Sequence, residues 1–355
     1  MRKLLFFVLC LFLCAPLRAA GTLDVYFIDV EGGQATLFVS PSGQSMLVDT
    51  GHGQAKIFVS PSGQSMLVDT GPGDRDPGRI AAVAKTAGVA RIDYLLITHY
   101  HPDHVGGLPN LARLLPITDF IDHGPPVETD PIAKALFQSA YLPVSEKGHR
   151  ILAKPGDCIP IAGMQVQVLT SGGQEISSAL PGAGAPNPAC ASTQPREVDP
   201  TDNAQSLGTL ISYGKFRMID LGDLTWNKEM QLACPNNKIG TVDVYLSTHH
   251  GLSLSNCPAI VHALRPRVAI VNNGETKGGE PEALRTIHGS PGIEDVWQLH
   301  YSKNVTKEEN APEPFIVNVD QDLPTSWIEL DANADGQFTV TNSRNGMTKT
   351  YAPTH

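Results

Sequence analysis

The chain has 355 residues and 41% apolar content, an ordinary globular balance, long enough for one large α/β domain or two smaller ones. Its formal charge of −10 excludes a generally basic surface of the kind that grips nucleic acid through many phosphate contacts. A locally basic cleft, or metal ions that contact phosphate themselves, stay compatible with that charge.

Arg2 and Lys3 precede an apolar run from Leu4 to Leu13, and Ala19-Ala20 offer small residues for cleavage. This is the layout of a secretory signal peptide over residues 1–20, and the apolar run falls short of the ~20 residues a spanning helix needs. The mature protein is therefore expected to be exported, periplasmic or extracellular, and free of the membrane once cleaved. An uncleaved anchor is the alternative. Loss of Arg2, Lys3 and Arg18, with no acid among them, takes the charge from −10 to −13. Cys158, Cys190, Cys234 and Cys257 remain, and their pairing in an oxidising compartment is left open.

A strand over 22–30 is followed by the turn Glu31-Gly32-Gly33-Gln34. Residues 33–52 then recur at 53–72 with 17 of 20 positions identical. Each copy reads strand, Pro-Ser-Gly turn, strand, and two copies are too few for a repeat architecture. A sheet that needs one such hairpin must take the other as extra strands or as an extruded loop. The second copy is favoured for its last strand, because Asp69-Thr70-Gly71 leads into a helix expected over 77–87.

A strand at 93–98 delivers Thr98-His99-Tyr100-His101-Pro102-Asp103-His104. In extended backbone residues two apart share a face, so His99 and His101 can point at one ion. Pro102 forces a break, and Asp103 and His104 swing to another side. Two ligand sets thus lie side by side, as two neighbouring divalent ions require.

A helix over 108–115, a strand over 117–122 ending at His123, a helix over 131–142 and a strand over 164–170 follow. Residues 171–205 turn rich in Gly, Ala, Pro and Ser. A stretch of that length reads as a lid near the site, against a surface excursion, and Cys190 could staple it. Strands over 206–213 and 215–221 form a hairpin through Gly214 and lead to Asp223. A helix (225–233), a strand (242–248) ending at His249-His250-Gly251, a helix (258–264), a strand (267–271) and a helix (281–287) complete an alternating α/β pattern. One domain over 21–311 is expected, with a β-hairpin extension over 312–355. Asp331–Gly336 resembles half a calcium loop, but Asn342 stands where its last ligand belongs, which favours a hairpin turn.

Taken in order, HxHxDH (His99, His101, Asp103, His104), the strand-end acids Asp69 and Asp223, and His249/His250 resemble the metallo-β-lactamase superfamily over residues 22–302. Within it, residues 25–35, the Asn203-Ala-Gln-Ser-Leu run and His-His-Gly look like the branch of the ComEC competence-protein hydrolase domain. The resemblance implies an α/β fold, a four-layer αββα sandwich with a β-rich C-terminal tail, and two divalent ions, Zn2+ or Mn2+. His99 and His101 would hold one ion, Asp103, His104 and His250 the other, and Asp223 would bridge them. Asp69 would orient a ligand histidine, and His249 would serve the leaving group. The implied activity is hydrolysis by a metal-activated hydroxide, first of a phosphodiester and alternatively of a β-lactam or lactone. A non-catalytic binding module with an incomplete metal site is the alternative of another class. The expected partner is a small-molecule or phosphodiester substrate, without stable nucleic-acid binding. Two features depart from the pattern. No histidine follows the strand over 164–170, with His123 as the nearest substitute. Glu280 stands where the ComEC-like branch has the histidine of a His-Pro pair, and its charge would repel phosphate.

Overall fold

The computed structural model describes residues 21–29, 34–39, 45–46, 54–59, 64–70, 77, 81, 90–319 and 327–354. The expected signal peptide and most of the helix expected over 77–87 lie outside them. Strands β1 (Leu23–Asp29), β2 (Gln34–Val39), β3 (Ser45–Met46), β4 (Gln54–Val59), β5 (Ser65–Val68), β6 (Ile92–Leu96), β7 (Ile117–Asp122) and β8 (His149–Leu152) build one sheet. The second holds β9 (Cys158–Ile159), β10 (Gln165–Ser171), β11 (Gln174–Glu175), β12 (Gly208–Tyr213), β13 (Phe216–Asp220), β14 (Val244–Leu246), β15 (Val268–Val271), β16 (Asp295–His300) and β17 (Ile316–Asn318). The chain then returns to the first sheet with β18 (Trp327–Ala332), β19 (Phe338–Asn342) and β20 (Thr348–Tyr351).

Period-two alternation sorts these strands into layers. Val268 and Ile270 of β15, with Val244 and Leu246 of β14, enter a core shared by both sheets. Their neighbours Ala269, Val271 and Tyr245 face a second core with the helices Trp226–Ala233, Pro258–Leu264 and Pro281–His288. On the first sheet Tyr94 and Leu96 face the other sheet, whereas Leu95 and Ile97 pack on Val105, Leu108 and Leu111 of the helices Pro102–Val105 and Leu108–Leu114. Three cores between successive layers make a four-layer αββα sandwich.

Strands β5 to β8 pair in parallel, as do β13 to β17. Parallel strands send all their following loops to one edge, which is where a ligand site belongs in such sheets. Asp69, His99, Asp223 and His249 all follow strands of these two sets.

Both copies of the duplicated hairpin enter the first sheet. β2 pairs antiparallel with β1 and parallel with β4. The register Gln34↔Gln54, Ala35↔Ala55, Thr36↔Lys56 sets each position beside its own duplicate. The second copy supplies β5, the strand that pairs with β6 and leads to Asp69. In the tail, β18 and β19 form the expected hairpin, and β18 also pairs with β1. The Asp331–Gly336 stretch is a tight turn, with Gly336 N donating to Asn333 O at 3.0 Å. Strand β16 has no counterpart in the sequence reading. Its four central residues are all buried, so it lacks the polar alternation that marks a half-exposed strand.

Candidate metal centre

Asp69 follows β5 with a left-handed φ of 61°, and its side chain is fully buried. Its carboxylate accepts from Thr98 N (2.7 Å), Thr98 Oγ1 (2.7 Å) and His104 Nδ1 (2.8 Å). A carboxylate only accepts, so His104 Nδ1 carries a proton and Nε2 is the nitrogen left to take a cation. Nε2 is buried and has no hydrogen-bond partner. It faces Asp103 Oδ2 at 3.3 Å and Asp223 Oδ2 at 3.4 Å. His250 Nε2 lies 3.9 Å from Asp103 Oδ2 and 4.0 Å from Asp223 Oδ1. Asp103, His104, Asp223 and His250 each offer one ligand atom, all within 4.8 Å of one another.

The histidine pair is built in the same way. Thr98 Oγ1 gives its proton to Asp69 and lies 3.1 Å from His99 Nδ1, so that nitrogen carries the proton. His101 Nε2 lies 2.7 Å from Asp130 Oδ2 and donates to it. His99 Nε2 is then an acceptor, and it shares a 3.0 Å hydrogen bond with His101 Nδ1. The proton between them occupies the place where a cation would meet both nitrogens.

Electrostatics follow from this crowding. Burial lowers His250 to about 3, and the nearby Lys277 adds to the effect. Burial also lowers His249, and it lowers His99 strongly with help from His104 and His101. For His104 the downward pull of burial is outweighed by Asp103, Asp223 and Asp69, which hold it well above the usual imidazole range, so without a cation Nε2 is protonated too and a dication would displace that proton. Asp103 and Asp223 resist the upward push of burial and stay well below the usual carboxylate range, Asp103 beside His104 and Lys277, Asp223 beside His249, His104 and His250. An acidic, donor-rich pocket whose imidazole Nε2 atoms point inward suits a divalent cation, which would displace the protons held there.

Strained backbone clusters here. His249 and His250 adopt φ 53° and 56°, a conformation that costs about 1–3 kcal/mol per non-glycine residue. The turn is clamped by His249 N donating to Gly222 O (3.0 Å), Gly279 N to His250 O (3.0 Å) and Glu280 N to Gly251 O (2.9 Å).

Residues 57–168 match the sequence model for the metallo-beta-lactamase superfamily. This stretch belongs to that superfamily. The match contains Asp69 and the His99–His104 cluster and stops before Asp223 and His250. A hydroxyacylglutathione hydrolase of Aliivibrio salmonicida is 35% identical over 86 residues, which are 21% of this chain and 33% of that protein. The chain thus spans about a third of that relative's length. Among solved structures, the metallo-beta-lactamase fold protein YhfI of Bacillus subtilis is 12% identical, with a TM-score of 0.43, over 78% of this chain and 95% of its own. MEM-A1, a subclass B3 metallo-beta-lactamase from a soil metagenome library, is 15% identical, with a TM-score of 0.37, over 65% and 78%.

The sequence reading missed the residues that steady the histidine pair. Asp130 caps the helix Pro131–Leu136 and reaches His101 as well. Asp202 donates through its N to Asp130 Oδ2 (3.0 Å), while its own carboxylate accepts from Tyr100 N (2.9 Å). The Gly/Pro-rich stretch therefore ends against the His99–His101 segment, and a Cys190–Cys234 disulfide ties its middle to the end of the helix Trp226–Ala233. An Asp before Pro131 signals a cap in sequence, but nothing local signals its second partner. His123 is not placed to complete the pair. It packs on the Tyr100 ring at 4.8 Å, and Tyr100 turns away from the face that its two neighbouring histidines share. Among the described residues no third His, Cys, Asp or Glu joins His99 and His101 in a separate three-donor group. Glu280 does not face the donors as a bare charge. Its carboxylate accepts from Ser253 N at 2.8 Å.

Proposed function

We propose that this chain is an exported metal-dependent hydrolase acting on a phosphodiester. The observation that carries the reading is His104, whose Nδ1 proton is fixed by Asp69 while its unpartnered Nε2 faces Asp103 and Asp223. Asp103, His104, Asp223 and His250 would hold one divalent ion, zinc or manganese, and His99 with His101 would hold a second, with Asp223 at the boundary. Such ions supply Lewis-acid polarisation of substrate and water.

The chain's own residues do the rest. His249 Nε2 lies 3.3 Å from Asp223 Oδ2, and burial keeps its imidazole neutral at neutral pH. It can take a proton from an attacking water and return it to the leaving group. The clamped backbone of the His249-His250 turn holds both rings without reorganisation. The turning of Glu280 toward Ser253 weakens the objection that its charge would repel phosphate. The disulfide and the signal-like N-terminus support export.

A second reading rests on the 35% identity to a hydroxyacylglutathione hydrolase, which favours that substrate type over β-lactams or lactones. One panel separates them. Zinc- or manganese-loaded protein is assayed on a chromogenic phosphodiester, a hydroxyacylglutathione, a lactone and a β-lactam, with Asp103→Ala as control. Turnover of the diester alone is expected. Turnover of another substrate but not the diester would replace the reading, and none at all would leave a binding module.

A further inference from the structure

Lys277 is an ammonium that the structure sets on the donor group, and neither the superfamily match nor the proposed chemistry uses it. Its Nζ lies 2.9 Å from Asp103 Oδ2, across 174 residues of sequence, and its side chain is 34% exposed. The ammonium therefore sits at the mouth of the pocket, with one side on a ligand carboxylate and the other toward solvent.

The loop that carries it is anchored to the site itself. Lys277 O accepts from Gly274 N (2.9 Å), and Asn304 Nδ2 donates to Thr276 O (3.0 Å) and Gly278 O (2.8 Å). Gly278 and Gly279 adopt φ 71° and 56°, and Gly279 N donates to His250 O. A Cβ at Gly278 would fall 2.0 Å from His250 O, so only glycine lets the loop lie flat on that residue. The backbone of Lys277 is thus fixed relative to His250, while its long stem leaves the ammonium able to turn.

We propose that Lys277 is the anion anchor of this site. It rests on Asp103 as a counter-ion while no dication is bound, and it is released to an oxyanion of the substrate when Asp103 takes a dication. The assignment deepens the hydrolase reading, on which it rests, by naming an anionic substrate, a phosphate ester in preference to a neutral lactone. A dication on Asp103 draws off its negative charge and repels the ammonium, so it weakens the Lys277 pairing. Metal loading and anion binding are therefore coupled through this side chain.

The test uses the full chain and binding rather than turnover. Zinc is titrated by chelator competition into wild type, Lys277→Met and Lys277→Arg, and inorganic phosphate, then acetate, is titrated into each loaded protein by calorimetry. Removing a competing ammonium should tighten zinc in Lys277→Met by about tenfold, the scale of one partly exposed charge pair plus the lost repulsion. The same variant should bind phosphate about tenfold more weakly, with Lys277→Arg restoring it, because guanidinium also pairs with phosphate. Acetate binding that depends on Lys277 as strongly as phosphate binding would make the substrate anion a carboxylate and overturn the phosphate-ester assignment. Zinc uptake with phosphate affinity unchanged in Lys277→Met would overturn the anchor and leave the hydrolase reading standing. No zinc uptake by wild type would refute the hydrolase reading together with everything built on it.

Discussion

Asp69→Asn is the substitution that isolates the chemistry of the centre from its backbone. Asparagine tolerates the left-handed conformation that Asp69 adopts at φ 61°, so the turn after β5 should survive. Its Oδ1 can still accept from Thr98 N. What changes is the group facing His104 Nδ1, now 2.8 Å from a carboxylate oxygen. An amide NH2 there would clash with an N–H, and the histidine would give up its Nδ1 proton and keep the one on Nε2. That proton would point between Asp103 and Asp223, into the place a cation needs. Loss of such an orienting partner typically costs 10–100-fold in metal affinity, about 1.4–2.7 kcal/mol. Replacing one charge-assisted hydrogen bond by a neutral one should lower the stability of the metal-free protein by about 1–2 kcal/mol as well. Zinc competition and thermal melts with and without metal read both effects. A variant that binds zinc as tightly as wild type would show that Asp69 does not set the His104 tautomer, and the argument for the centre would lose its first step.

Glu229 is fully buried, and burial raises it to about 7, with Cys257 N donating to it at 2.8 Å. The folded chain then keeps this proton after the unfolded chain has lost it. Stability should be full below pH 4.5 and fall by about 3 kcal/mol as pH rises to 7. Glu229→Gln should flatten that slope in denaturant titrations between pH 5 and 8, and an unchanged slope would assign it elsewhere. Excising residues 53–72 should leave a folded, metal-binding chain, because the remaining copy repeats the removed sequence and can supply both the strand beside β6 and, in Asp49, the equivalent of Asp69. Aggregation of the excised chain in size-exclusion chromatography would show that the sheet depends on both copies. Cys190→Ser should cost up to about 4 kcal/mol, since the disulfide closes a loop spanning 44 residues. An unfolding midpoint insensitive to reductant would contradict this.

The layer order and the loops that carry the donors were legible because chemistry and periodicity agreed there. HxHxDH can hardly serve a core, Asp223 and His250 end strands of clear alternation, and the helices Pro258–Leu264 and Pro281–His288 begin at proline as expected. Lys277, Asp130 and Asp202 were not legible, since each acts on a residue 29 to 174 positions away through a loop whose course no local pattern fixes. The in-register pairing of the two hairpin copies was equally hidden. Near-identical strands offer the same hydrophobic pattern in either slot, so the pattern cannot choose between them.

Metal content bears most directly on the central claim that the fold gathers imidazole and carboxylate donors around a cation. Wild-type protein and Asp103→Ala would be loaded with zinc or manganese, dialysed and measured by inductively coupled plasma mass spectrometry. The account predicts at least one retained ion per wild-type chain and fewer in Asp103→Ala. Near-zero metal in the wild type would contradict it.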